Sequence, residues 1–116
     1  MFKMTIVAWR RPDWSIEECR RWWLEEHAPI ARRMPGLRGY ILNLAQRDEA
    51  GAEPELMGTD DLFFDSEEAF EKAWNSPEWR EARAHTAAAG IKAIRSFVNE
   101  VRIIDPVSTG IVGKSA

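Results

Sequence analysis

Apolar and polar positions alternate from Phe2 to Trp9. Phe2, Met4, Ile6 and Ala8 share one face, and Thr5, Val7 and Trp9 the other, which is the period of a β-strand. After a turn at Pro12-Asp13 the period changes to that of a helix. Ser15 followed by Glu18 reads as a capping box that opens it, and Pro35-Gly36 closes it after about Met34. Pro29 lies inside this helix and removes the amide that would bond the carbonyl of Glu25, so a kink is expected there. Leu37 to Gln46 reads as a second strand, Arg47 to Gly58 as a polar loop and Thr59 to Phe64 as a third strand. Asp65 reads as the N-cap of a short helix, Ser66 to Asn75, with Glu68 as its reciprocal partner. Ser76-Pro77 places an N-cap before a proline at the first helical position and opens a further helix, to about Ile94. Phe97 to Asp105 reads as the last strand, and Pro106 to Ala116 as a loose tail.

The order β-α-β-β-α-β, with the second α split in two, predicts an α+β fold of ferredoxin-like topology. Four antiparallel strands would form one sheet with helices on one face, in a single domain over residues 1–105. The first, second and last expected strands carry apolar residues on both faces. Helices cover only one, and soluble monomers rarely leave the other in water. A second copy, face to face about a two-fold axis, would cover it, so a homodimer is expected.

Composition narrows the function. In 116 residues, 45% hydrophobic and 30% charged, no apolar run approaches the roughly 20 residues of a membrane span. The single cysteine, Cys19, cannot form an internal disulfide and agrees with a reducing, cytoplasmic setting. A net charge of −3 argues against nucleic acid as a partner. The six tryptophans are the anomaly, since large flat side chains fill cores, line aromatic pockets or form interfaces.

On a helical wheel Cys19, Trp23, Ile30 and Met34 fall within about 60° of Ile16, and His27, at about 20°, falls inside that stripe. An imidazole there would point between helix and sheet, with a pKa suited to proton transfer near neutrality. A core histidine bonded to a carbonyl satisfies the same spacing. Trp23 reads as inward and Trp22 as flanking. Cys19, with no base at helical spacing, reads as a small core residue. On the strands, Asn43 shares a face with Ile41, Tyr40 with Leu42, Asp61 with Phe63, and Asp60 with Leu62 and Phe64. An acid in an aromatic strand is costly unless paired or functional. Thr86 reads as inward on the last helix, and His85 as exposed. No glycine-rich phosphate loop, nucleophile elbow or zinc spacing is present.

The run WLEEHAPI, Trp23 to Ile30, with MPGLRGYILN, Met34 to Asn43, resembles the signature of EthD-domain proteins, small members of the dimeric α+β barrel superfamily. The run from Gly58 through LFFDSEEAFEKAWNSPEW, Leu62 to Trp79, is similar to that family's third strand and following helix starts. The resemblance spans roughly residues 3–105. It implies two protomers pairing sheets into a barrel, with a pocket between sheet and helices in each. Such proteins include methylmuconolactone methylisomerase, fungal decarboxylases of aromatic polyketides and a protein required for degrading ethyl tert-butyl ether. Related barrels include muconolactone isomerase, polyketide cyclases, and oxygenases of phenols or haem. The shared theme is a small hydrophobic ligand handled without an organic cofactor. The family's histidine maps onto His27, and its Tyr and Asn onto Tyr40 and Asn43. Asp61 stands where many relatives carry Glu. Relatives commonly carry a further acid near the middle of the last helix, where this chain has His85-Thr86-Ala87.

The expectation is a cofactor-independent enzyme moving protons on a small hydrophobic carbonyl or phenolic compound. His27 would be the general base or acid, and Asp61 would orient or share its proton. Tyr40 and Asn43 would hold substrate oxygens, with Thr86 inward and Trp9, Trp23 and Trp79 as walls. Two alternatives follow from the same residues. One is an oxygenase, attacking a phenol directly or using haem with His27 as axial ligand. The other is a non-catalytic dimeric binding or stress protein. No metal is expected.

Overall fold

A computed structural model describes residues 1–106. Its elements follow the order β1 (Phe2–Trp9), α1 (Ile16–Arg21), a π-helical segment (Trp22–His27), α2 (Ala28–Ala31), β2 (Gly39–Leu44), β3 (Leu56–Phe64), α3 (Glu67–Trp74), α4 (Pro77–Ala88) and β4 (Ala93–Val98). The strands form one antiparallel sheet in the order β2-β3-β1-β4, and the fold is the ferredoxin-like α+β arrangement.

The helix starts are encoded locally. Ser15 and Glu18 form a complete capping box, with Ser15 Oγ accepting from the Glu18 amide and Glu18 Oε1 from the Ser15 amide. Ser76 caps α4, accepting from the Trp79 amide, and Ser66 rather than Asp65 caps α3, accepting from the Ala69 amide, while the Asp65 carboxylate accepts from Arg38. Pro29 has the expected local consequence in a more specific form. The turn before it is π-helical, and the Ala28 amide bonds the carbonyl of Trp23, five residues back. The proline lacks an amide and its ring displaces the preceding carbonyl, so that turn takes an extra residue. Trp22, expected to flank the stripe, is buried instead, packed against Trp14, His27 and His85.

Met4, Ile6, Ala8, Leu62 and Phe64 face the helices and are buried against Trp79, Ala82, Phe70 and Met34 at one end of the layer, and against Cys19, Trp23 and Met57 at the other. Cys19 is fully buried, as its place in the apolar stripe implies. Gly58 sits where the β1–β3 register shifts. Its φ is +146°, and a Cβ there would meet the Asn43 carbonyl at 2.1 Å, so the strand tolerates only glycine at this point.

The last strand lies elsewhere than the sequence reading placed it. It spans Ala93–Val98, not Phe97 to Asp105, and α4 ends at Ala88. Gly90, at φ +69°, stops the helix, which frees Ala93 to enter the sheet beside β1. Val101, Ile103 and Ile104, whose β-branched run suggested a strand, are exposed. β3 also begins earlier, at Leu56. Of the expected tail, Pro106 is exposed and residues 107–116 lie outside the described part.

Candidate functional site

Strand register decides which side chains meet under the helices. Leu42 pairs with Asp60, Asp60 with Ile6, and Ile6 with Arg95, so these four form one row across the sheet's helix-covered face. Above them the π-helical turn brings down Trp22, Trp23 and His27, and α4 contributes Trp79, Ala82 and Thr86. Between row and helices lies a cavity of about 30 Å³, lined by His27, Asp60, Trp79, Thr86 and Arg95 among apolar neighbours. That is room for roughly two water molecules. The half-buried lining residues Thr86, Ala93 and Arg95 belong to α4 and β4, so solvent reaches the cavity from that side.

His27 is buried, at 9% exposure. Its Nδ1 lies 3.0 Å from Nδ1 of His85, and its Nε2 lies 3.5 Å from Oγ1 of Thr86. Both imidazoles stack on the indole of Trp22, with centroids 4.9 and 5.1 Å away and planes within 13° and 2° of it. The Thr86 hydroxyl donates to the Ala82 carbonyl, leaving its oxygen to accept from Nε2–H. On that assignment His85 donates from Nδ1 to Nδ1 of His27. Burial, then the neighbouring His85 and Arg95, push the His27 pKa down from 6.5 to about 4, so the ring is neutral at pH 7.

Asp60 is the second buried ionisable group, at 4% exposure. Burial, reinforced by Asp61 and opposed by Arg95, raises its pKa from 3.8 to about 7. Its Oδ1, the Nε of Arg95 and the Nε1 of Trp79 are buried without a hydrogen-bond partner among the described residues. Three orphaned polar atoms around one cavity are unusual, because buried polar groups are nearly always paired.

The structure separates the residues proposed from sequence. His27, Trp23, Trp79 and Thr86 line the cavity. Asp61 does not, because it points to the opposite sheet face, where it accepts from Thr5 Oγ1 at 2.7 Å and lies 3.7 Å from Lys3 Nζ. Asn43 is on that face too, exposed, its Nδ2 donating to Thr59 Oγ1. Trp9 lies outside the cavity at the end of β1, under the ammonium of Lys92 at 4.7 Å. Tyr40 faces the helices but lines an open groove with Leu24, Ala28, Arg32 and Leu37. Burial and the nearby Asp60 hold its phenol above the usual range. His85, read as exposed, is half-buried against His27. A haem has no seat here: the cavity is far too small, and both nitrogens of His27 face protein groups.

The EthD-domain sequence profile matches residues 11–89. The chain belongs to the EthD-domain family. Among solved structures, an EthD-family protein from Bacillus halodurans superposes with a TM-score of 0.69 at 17% identity, covering 87% of this chain and 100% of that one. A hydroxynitrile lyase from Passiflora edulis gives 0.61 at 14% identity, covering 86% and 95%. SnoaB, a cofactor-independent oxygenase from Streptomyces nogalater, gives 0.60 at 15% identity, covering 91% and 100%. At such identities the likeness concerns the fold. No curated protein matches the sequence. Among the described residues no helix is long and apolar enough to cross a membrane.

Sequence reasoning missed Asp60, Arg95, His85 and Trp22. Asp60 stood in the sequence beside the residue chosen, on the face of Leu62 and Phe64. Arg95 fell between the expected helix and strand, although Gly90 offered a stop signal that would have released it. Nothing in the spacing announced the widened turn that joins His27 to His85.

Proposed function

We propose that this EthD-domain chain is a cofactor-independent enzyme that moves a proton on a small hydrophobic carbonyl or phenolic compound, in an isomerase, cyclase or decarboxylase type of reaction. One observation carries the reading: a buried imidazole, neutral at pH 7, borders a cavity on one side and hydrogen-bonds a second imidazole on the other. As a base His27 acts in the tautomer that carries its proton on Nδ1: Nε2 takes the substrate's proton, the Nδ1 proton passes to Nδ1 of His85, and His85 releases its other ring proton to water, which leaves the pair in the Nε2–H arrangement described above. His27 thus never holds two protons, which its surroundings disfavour. Asp60, poised near neutrality, donates its proton to the substrate oxygen on which negative charge develops. The cavity admits the reacting head of the substrate, and the apolar body lies toward the mouth at Thr86 and Ala93. A positioned base contributes about 10²–10⁴-fold, so the substrate must already carry an acidic C–H or O–H.

The working unit in this reading is a homodimer. The sheet face away from the helices carries Val7, Ile41, Phe63 and Ile94, with Ile41 and Ile94 half exposed at 50% and 51% in the single chain. A second sheet is the self-complementary cover for such a face.

Proton abstraction is measurable before the reaction type is known. In D₂O, the protein should catalyse deuterium exchange at the acidic carbon of enolisable ketones, followed by NMR. His27→Gln should lower that rate by about 10²–10⁴-fold while circular dichroism stays unchanged. Exchange that is insensitive to His27→Gln would remove the enzyme reading and leave a binding protein.

A further inference from the structure

The polar floor of the cavity has a chemistry of its own. Arg95 enters from β4, half-buried, with its guanidinium 5.6 Å over the ring of Trp79. Among the described residues no carboxylate lies within ion-pairing distance of it, unlike Arg10, Arg11, Arg33, Arg38 and Arg102, which all have one. Its Nε–H and the Nε1–H of Trp79, a residue at 3% exposure, are buried donors without acceptors, and both residues line the same cavity. Arginine forks match planar oxyacids, and a cation kept from water favours an anion as partner. Size then selects the group. About 30 Å³ accommodates a carboxylate head but not an aromatic ring.

We infer that the cavity is a carboxylate seat, in which Arg95 Nε–H and Trp79 Nε1–H hold the ionised acid group of a small substrate whose enolisable carbon or hydroxyl lies beside His27. The assignment deepens the proton-transfer reading, on which it rests for the word substrate. It narrows carbonyl and phenolic compounds to those that also bear a carboxylate, such as keto acids or hydroxy acids.

The neighbouring carboxyl sets the pH dependence. Asp60 is near Arg95 from β4 and Tyr40 from β2, and His27 from the helix lines the same cavity. Asp61 adjoins it in sequence, and Arg83 and His85 stand further off on α4. With Asp60 protonated, a bound monoanion and Arg95 leave the cavity neutral overall. With Asp60 ionised, the same anion adds an unbalanced negative charge to a buried site. Anion binding should therefore favour the protonated acid and weaken as pH rises through neutrality.

The test is binding of propionate against its uncharged isostere, propionamide, to the full chain, read from the Trp79 indole N–H resonance in ¹⁵N-labelled protein and assigned with Trp79→Phe. Propionate should shift that resonance with about tenfold or greater preference over propionamide, and more tightly at pH 6 than at pH 8. Arg95→Met should weaken propionate binding by about 10–100-fold, the size expected for a lost charge-assisted bond. Arg95→Lys, which keeps the charge in case Arg95→Met misfolds, should retain part of it. Equal responses to the two ligands, no response to either, or propionate binding untouched in both Arg95 variants would overturn the seat. Turnover plays no part in this readout. Binding of propionate by a protein with no deuterium-exchange activity would leave the seat standing and the enzyme reading lost. Activity without anion preference would do the reverse.

Discussion

Asp60 and Asp61 are adjacent in β3 and chemically identical, yet the sheet gives them opposite lives. Asp61 faces the uncovered side, where Thr5 and Lys3 satisfy it at 2.7 and 3.7 Å. Asp60 faces the helices, where one oxygen has no partner and burial moves its pKa to about 7. One residue of register separates a carboxylate with its partners on the open face from one whose burial favours the protonated form. The contrast extends to the whole sheet. The covered face combines the apolar core with a few unsatisfied polar atoms. The open face carries satisfied polar pairs, Asn43–Thr59 and Asp61–Thr5, among exposed apolar residues. In the proposed function, chemistry belongs to the first face and association to the second.

Substitutions on the two faces should therefore fail in different ways. Leu62, on the covered face at 1% exposure, should cost about 2–5 kcal/mol when changed to Ala, because its cavity cannot collapse between sheet and helices. Ile94→Ala on the open face should change protomer stability by less than about 1 kcal/mol. Ile94→Asp should instead move the light-scattering mass from about twice 13.3 kDa to the single-chain value, with the far-UV spectrum preserved. If Ile94→Asp left the mass unchanged, or the unmodified chain were already a monomer, the open face would not be the association surface.

The same contrast explains what could be read from the sequence. Alternation in β1 and β3 gave strands, caps at Ser15 and Ser76 gave helix starts, the cap of α3 read one residue early, at Asp65, and the order of elements gave the topology. Each is a local signal, written within a few residues of where it acts. Which sheet face the helices cover is not local. Apolar residues stood on both parities, and a choice between Asp60 and Asp61 needed the face, not the period. Resemblance to the EthD signature favoured Asp61, and the geometry put Asp60 in the cavity that His27 also lines. Arg95 was hidden by a boundary: Ala93 and Ile94 extend a helical pattern until Gly90 is taken as its stop. The His27–His85 contact depends on a turn that takes up one more residue before Pro29. A wheel with constant angle cannot show that turn. Trp22 and His85 both lie off the apolar stripes of their helices, and what covers them is each other and His27, a contact between helices that no single wheel displays.

The buried face makes one last, smaller prediction, on stability against pH. Asp60 has a folded pKa of about 7, above its ordinary 3.8, so the folded chain holds a proton that the unfolded chain has lost between those values. That contribution is full below about pH 4 and is lost as pH rises to 7. His27 runs the other way. Its folded pKa of about 4 lies below 6.5, so the unfolded chain binds the proton first, and stability is lost as pH falls from 6.5 toward 4. Each group alone changes stability by at most about 1.4 kcal/mol per pH unit, with opposite signs, across nearly the same window. Around pH 5.5 folding merely transfers a proton from imidazole to carboxyl, and the two slopes cancel. Relative to the unmodified chain, Asp60→Asn should gain stability with rising pH, by up to about 3 kcal/mol between pH 4 and 6.5. His27→Gln should lose stability with rising pH by a similar amount over that range. Urea titrations at fixed protein concentration every half pH unit would show this, and the doubly substituted chain should run parallel to the unmodified one. Single variants that also run parallel to it would mean that the two groups are not perturbed in opposite directions.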